Sequence, residues 1–335
     1  MFEQPIFDKP NILVTGGAGF IGSHLCERLL DRAKVICLDN FVSGTQQNIE
    51  HLLQRPDFVF IKHDVTAPID LNAFPELVRF KVEFQGVQEI YHLACPTSPK
   101  DFEDLRVETL LANSYGTVNA LHLASQFRAK FLLGSSSVVY GARDRERYQA
   151  EDDYGVVDHL GPRACYDEGK RFAETVVATY RQQYSIDTKI ARIFRTYGPR
   201  QRLRIGEMIP DFVVNALEGK DLTIYGDETF TTSLTFVDDV VAGLIALMES
   251  EEGGPMNLGS TEMHRIADVA RMVIEMTGSA SSVRFVEPLL FMTPQGVPDI
   301  SKARNLLGWT PITRLEDGLQ KTIDFAQAHR ELLGY

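Results

Sequence analysis

Cysteine is scarce: Cys26, Cys37, Cys95 and Cys165 are the only four in 335 residues, and no two are closely paired. That excludes a zinc-ligand pattern or a disulfide framework and fits reduced thiols in a cytoplasm. Long apolar runs are also missing, so no segment is expected to span a bilayer. The opening Met1-Phe2-Glu3-Gln4-Pro5 has neither a basic region nor an apolar core, so no secretory signal is expected. Positive charge is in short supply, with 34 Lys and Arg against 46 Asp and Glu for a net charge of −12. This argues against nucleic acid or an anionic membrane as partner, and requires local arginines to hold any anionic ligand. Internal repeats and low-complexity linkers are absent too. The length suits one large or two fused domains with a sizeable core.

What is present begins at Asn11-Ile12-Leu13-Val14-Thr15, an apolar run that ends in a turn with glycines at 16, 17, 19 and 22. Ile21, Leu25, Leu29 and Leu30 then recur at helical spacing. Strand, glycine turn and helix together place amide groups where a pyrophosphate can sit, with Gly16, Gly19, Phe20, Ile21 and Gly22 against it. A second apolar strand, Val35-Ile36-Cys37-Leu38, ends in Asp39, about 20 residues past the glycines. A carboxylate there accepts hydrogen bonds from a ribose and repels a 2′-phosphate; no arginine directly follows it, so NAD is expected rather than NADP. Further strand ends put Asn40, Asp64, Val65, Leu93 and Ala94 along the cofactor, since ligands sit outside the carboxyl ends of such strands.

The remaining pattern predicts long helices over 110–127 and 164–185, and a buried strand over 131–137 that delivers hydroxyls at its end. A charged loop over 142–162 reads as a mobile lid. Past Tyr197-Gly198-Pro199 the regular alternation fades, and shorter elements follow. The expected fold class is α/β: a Rossmann-type doubly wound parallel sheet (10–194 plus 232–249) with a smaller C-terminal substrate-binding α/β cap (195–231 plus 250–335). The ligand cleft would lie between them.

Tyr166 and Lys170 stand one helical turn apart, and Ser136 lies at the end of the serine-rich strand. A phenol is a poor base at neutral pH, but an ammonium on the same helix face and a positive nicotinamide would stabilise its phenolate. Ser136 would orient a substrate alcohol while the phenolate takes its proton and hydride leaves to NAD.

At these residues the chain resembles the extended short-chain dehydrogenases/reductases. The resemblance is carried by Thr15-Gly16-Gly17-Ala18-Gly19-Phe20-Ile21-Gly22, Asn113-x-x-Gly116-Thr117, Val139-Tyr140-Gly141 and Tyr166-Asp167-Glu168-Gly169-Lys170. Within that family it is most similar to UDP-glucuronate decarboxylases, through Asp39-Asn40-Phe41, His63-Asp64-Val65-Thr66, Ala164-Cys165-Tyr166, Thr196-Tyr197-Gly198-Pro199-Arg200, Pro298-Asp299-Ile300 and Leu307-Gly308-Trp309-x-Pro311. The likeness covers about Asn11 to Ala326. It implies tightly held NAD, a nucleotide-linked sugar, transient oxidation at sugar C4, and a homodimer built on the two long helices.

The substrate half departs from that pattern. Ser137 and Val138 stand where relatives carry Ser-Glu and dehydratases an Asp-Glu pair. Thr232 replaces the arginine of Thr-Arg-Ser-Phe, Glu207 stands at a usual arginine, and Arg195 replaces an asparagine. A late loop at Thr293-Pro294-Gln295-Gly296-Val297 lacks its arginine. Arg195, Arg202 and Arg204 could restore charge, so Ser137, Val138, Arg195, Glu207 and Thr232 are the expected substrate contacts. Without the glutamate, C4 oxidation followed by return of hydride, a 4-epimerisation, is placed ahead of the alternative, decarboxylation of UDP-glucuronate to UDP-xylose. A non-catalytic NAD-binding sensor is the third reading. His63 and His92 read as structural or cofactor-lining, Cys165 as packing, Asp238-Asp239 as a helix cap rather than a metal site, and Glu151-Asp152-Asp153 as a solvated lid. Lys100, Arg106 and Arg163 are loop cations within possible reach of the sugar. No metal is expected.

Overall fold

In a computed structural model, residues 9–98, 101–142, 148–287 and 296–329 are described. Thirteen strands are defined among them: β1 (Asn11–Thr15), β2 (Lys34–Asp39), β3 (Phe58–Lys62), β4 (Glu89–His92), β5 (Lys130–Ser136), β6 (Thr188–Ile193), β7 (Thr196–Tyr197), β8 (Leu222–Tyr225), β9 (Thr231–Ser233), β10 (Thr235–Phe236), β11 (Pro255–Leu258), β12 (Met263–Arg265) and β13 (Val283–Val286). Seven make one parallel sheet in the order β11-β6-β5-β4-β1-β2-β3. The order reverses between β1 and β4, the crevice where ligands of doubly wound sheets bind.

The strands read as continuous apolar runs because both faces are covered. Alternate residues of β1 divide between two cores: Ile12 and Val14 pack with Leu25, Leu29, Val240 and Leu244, whereas Leu13 packs with Leu121, Ala124, Ala173 and Val177. Helices Phe20–Leu29 and Val237–Glu249 thus cover one face, and Thr117–Phe127 with Ala164–Tyr184 the other. Three two-stranded pairs, β7–β10, β9–β12 and β8–β13, accompany the helices Met208–Leu217 and Ile266–Thr277 beyond the main sheet.

Several sequence expectations change here. The segment Pro255–Leu258, placed with the cap, is the edge strand of the large sheet, paired with β6. It runs parallel to β6 in the register Pro255 to Ile190 through Leu258 to Ile193. The helix expected over 110–127 starts earlier, as Arg106–Leu111, and passes through a π turn at Ala112–Gly116 before Thr117–Phe127. Within that turn Asn113 donates to Thr109 O (2.9 Å) and to Cys95 Sγ (3.0 Å).

The charged loop is not a free lid where it is described. Gln149 bridges to Pro298, Gly141 to Val156, and Arg171 Nη1 donates to Val139 O (3.0 Å) and Gly155 O (3.1 Å). Nor is Glu151-Asp152-Asp153 simply solvated: Glu151 Oε1 accepts from Asn257 N (2.9 Å), and Asp153 Oδ2 from Ala150 N (2.9 Å). Asp238 and Asp239 lie in the first turn of their helix, whose cap position is Phe236; the dipole still favours them there. Asp239 Oδ2 accepts from Thr313 N (3.0 Å), tying down the C-terminal segment together with Trp309 Nε1, which donates to Asp239 O (2.9 Å). Lys100 and Thr293-Pro294-Gln295 lie outside the described residues.

Candidate active site

A cavity of about 470 Å³ opens at the carboxyl ends of the central strands. At one end stands the glycine turn. Gly16 has φ +72°, and a Cβ on it would fall 2.7 Å from Ala94 N; a Cβ on Gly22 would fall 2.1 Å from Gly16 O. Only glycine permits this close, left-handed passage of backbone. Gly19, Phe20 and Ile21 join them in the lining, with Leu93 and Ala94 at the end of β4.

Asp39, at the end of β2, is 7 % exposed. Its Oδ2 accepts from Ala18 N (3.0 Å) and its Oδ1 from Phe41 N (2.8 Å), so the carboxylate braces the glycine turn. Burial pushes its pKa above the usual carboxylate value, against the pull of those amides. Two carboxylate oxygens offer about four acceptor sites, so capacity remains for a ribose diol. Asn40 Nδ2 donates to Asp64 Oδ2 (3.1 Å), and Thr66 donates through both N and Oγ1 to Asp64 Oδ1 (2.8 Å each). Burial opposes ionisation of Asp64, but the Thr66 and Asn40 bonds outweigh it and hold its pKa below normal. Val65 lines the same end, its carbonyl fixed by Asn119 Nδ2 at 2.8 Å. A glycine cradle and a buried acid at the end of β2, with no arginine directly after it, fit NAD.

The helix Ala164–Tyr184 brings Tyr166 and Lys170 to the same cavity, and β5 brings Ser136 and Ser137. Lys170 Nζ donates to Gly134 O (2.8 Å), which uses one of its three protons and leaves two directed elsewhere. Nζ stands 5.8 Å from the centre of the Tyr166 ring. Burial chiefly, then the Cys95 thiol, pushes the Tyr166 phenol well above its ordinary pKa, against the Ser136 hydrogen bond and the Arg163 charge. In the protein alone, desolvation of the buried phenol dominates.

Phe102, which no sequence signal singled out, stacks on Tyr166 with centroids 4.9 Å apart. Val138 packs with that pair, while Cys95 and Cys165 lie against the cluster. Burial pushes the Cys165 thiol up, in keeping with packing rather than nucleophilic attack. Cys95 was foreseeable from the strand-end rule, one residue past Ala94; Phe102 lies on a short helix whose placement depends on tertiary contacts.

Arg195 and Glu207 both line the cavity. Thr232 does not: it is buried in β9, and its Oγ1 accepts a long 3.4 Å bond from Arg195 Nη1. Arg202 lines the wall but is spent on Asp101 (2.9 and 3.1 Å). Arg204 turns outward to Glu218 and is not in the lining. Arg163 lines the cavity and pairs with Asp167 at 3.3 Å, whereas Arg106 is exposed outside it. His92 is structural: Nδ1 lies 2.7 Å from Thr15 Oγ1, and burial, then Lys170, lowers its pKa to about 3. His63 lines the cofactor end edge-on to Phe74. Among the described residues no cluster could hold a metal ion, and no helix is long and apolar enough to cross a membrane.

Residues 13–322 match the family model described as GDP-mannose 4,6 dehydratase. UDP-glucuronic acid decarboxylase 1 of Xenopus tropicalis is 41 % identical over 326 residues, covering 97 % of this chain and 74 % of that protein. UDP-glucuronic acid decarboxylase 4 of Arabidopsis thaliana is 42 % identical over 318 residues, covering 94 % and 68 %. Among solved structures, UDP-glucuronic acid 4-epimerase from Bacillus cereus, in complex with UDP-glucuronic acid and NAD, superposes with a TM-score of 0.83 at 31 % identity, covering 95 % of this chain and 99 % of that one.

Proposed function

The chain belongs to the GDP-mannose 4,6 dehydratase family of extended short-chain dehydrogenases/reductases, NAD-dependent enzymes that modify sugar nucleotides, and from that premise we propose that it decarboxylates UDP-glucuronic acid. The observation that carries this reading is near-full-length likeness at 41–42 % identity to UDP-glucuronic acid decarboxylases, against 31 % to the UDP-glucuronic acid 4-epimerase. It reverses the order drawn from Val138, in which 4-epimerisation led.

The chemistry explains why the missing glutamate does not forbid decarboxylation. NAD, when bound in the glycine cradle, supplies the hydride acceptor for sugar C4. Tyr166 takes the C4 hydroxyl proton, Ser136 orients that hydroxyl, and Lys170, fixed on Gly134 O, lends positive charge to the pair. A 4-keto sugar with a carboxylate on C5 is a β-keto acid, which loses CO₂ without an acid at position 138. Dehydration would need a paired acid and base at Ser137-Val138, and Val138 instead packs against Phe102 and Tyr166. The convergence of Tyr166, Lys170 and Ser136 in one cavity supports turnover over a non-catalytic sensor.

Incubation with UDP-glucuronic acid and NAD is expected to release CO₂ and form UDP-xylose, read by nuclear magnetic resonance of the sugar nucleotide. Formation of the C4 epimer with the carboxylate retained would reverse the order again.

The same reading includes a homodimer. Helices Arg106–Leu111 and Ala164–Tyr184 pack together and, with the π turn Ala112–Gly116, leave Val107, Leu110, Tyr115 and Phe172 exposed, 46–64 % of their surface in solvent. An apolar patch of this kind on paired helices suits a second copy. Sedimentation at micromolar concentration is expected to give twice the chain mass; a monomer would remove the claim.

A further inference from the structure

The charged side chains of the substrate end are mostly committed to the protein. Arg202 is held by Asp101, Arg163 pairs with Asp167, and Asp211 Oδ1 accepts from Arg204 N at 3.0 Å. Glu207 and Arg195 are different. Glu207 occupies the cap position of helix Met208–Leu217 yet its carboxyl makes no capping bond, and among the described residues it forms no ion pair. Arg195, just past the end of β6, makes one side-chain bond among the described residues, the long 3.4 Å contact with Thr232. Both line the cavity that holds Tyr166 and Ser136, and each feels the other's charge. A guanidinium with one long bond and a carboxyl that forms no ion pair among the described residues, lining one cavity, are placed to act on the substrate.

Resting on the decarboxylase reading, we propose that Glu207 delivers the proton that sugar C5 takes up after CO₂ leaves, and that Arg195 holds the C6 carboxylate until it leaves. The balance is simple. The C5–C6 bond breaks and its electron pair moves toward the C4 carbonyl, giving an enolate and CO₂. The enolate carbon C5 then takes the Glu207 proton, restoring the C4 ketone for return of hydride. Glu207 recovers its proton from solvent on product release.

The surroundings favour the protonated form of Glu207. Burial chiefly raises its pKa, opposed by Arg195, and Asp211 and Asp101 raise it further while Arg163 opposes them. Val138, in the apolar cluster with Tyr166, offers no competing acid.

The test uses the holoenzyme with UDP-glucuronic acid. E207Q is expected to lower steady-state turnover about 100-fold, the loss typical of a general acid. It should still release one equivalent of CO₂ per site in the first turnover, with reduced-nicotinamide absorbance persisting. Wild-type kcat should fall on the basic side of its pH profile, and E207Q should lack that limb. R195M is expected to raise KM for UDP-glucuronic acid at least tenfold, as for loss of a charge-assisted bond. If E207Q fails to fold, E207D carries the test: slower turnover with the basic limb kept. Wild-type protein that releases no CO₂ overturns the decarboxylase reading itself. Wild-type protein that releases CO₂, with E207Q or E207D as fast and the pH profile unmoved, overturns the Glu207 assignment alone.

Discussion

Replacing Tyr166 by Phe is expected to lower turnover of UDP-glucuronic acid by about 10³-fold, within the range for loss of a general base, while NAD stays bound. The substitution removes one oxygen and keeps the ring, so stacking on Phe102 at 4.9 Å survives and the fold should not change. The hydroxyl is what the first step requires. Ser136 beside it favours its ionised form, but its proton acceptance depends on ionising a phenol that burial pushes upward. With NAD bound, its positive nicotinamide favours the phenolate, so the wild-type rate should rise with pH as the phenolate forms, and the variant should show no such rise. A Tyr166→Phe protein that keeps more than a tenth of wild-type turnover would mean another group removes the proton. Thermal stabilisation by NAD, equal in both proteins, checks that the loss is chemical.

The largest loss of stability is expected from Arg192→Met. Arg192 Nε and Nη2 grip Glu174 Oε1 and Oε2 at 3.0 and 2.8 Å, and the two side chains are only 11 % and 13 % exposed. Glu174 Oε1 also accepts from Ser135 Oγ at 2.6 Å, while Arg192 Nη1 donates to Tyr140 Oη and to Glu151 O, both at 2.9 Å. Tyr140 in turn donates to Asn257 Oδ1 at 2.7 Å, and Asn257 Nδ2 donates to Gln149 O at 2.8 Å. One guanidinium thus joins the serine-bearing strand, the sheet-edge strand and the loop after Tyr140. Removing it leaves a nearly buried carboxylate uncompensated, which costs about 3–5 kcal/mol. Urea unfolding should show that loss, and adding Glu174→Gln should recover part of it because the stranded charge is gone. A loss below about 1 kcal/mol would place the pair among weak surface bridges.

Legibility followed sequence distance. The cofactor turn was readable because strand, glycines and helix are contiguous, and Asp39 follows at the end of the next strand. Tyr166 and Lys170 were readable because one helical turn puts them on one face. Thr232 was misplaced for the opposite reason. Its residue type marked a change in the substrate half, but a position on a short strand does not reveal which way a side chain turns, and β12 and Arg195 cover it. The loop after Ala142 read as a lid because it is charged. Its charge proved to be partly internal, with Glu151 accepting from Asn257 N and Asp153 from Ala150 N.

The sequence by itself determined the cofactor and the family, and it singled out Tyr166 as the candidate base. Each depends on a short motif whose geometry is fixed by local backbone rules. Only the tertiary structure decided which charges remain available to the substrate. Asp101 and Arg202 cancel although they stand 101 positions apart, Arg204 turns away to Glu218, and Arg195 and Glu207 are left in the cavity. Composition counts charges, whereas the path of the chain pairs them.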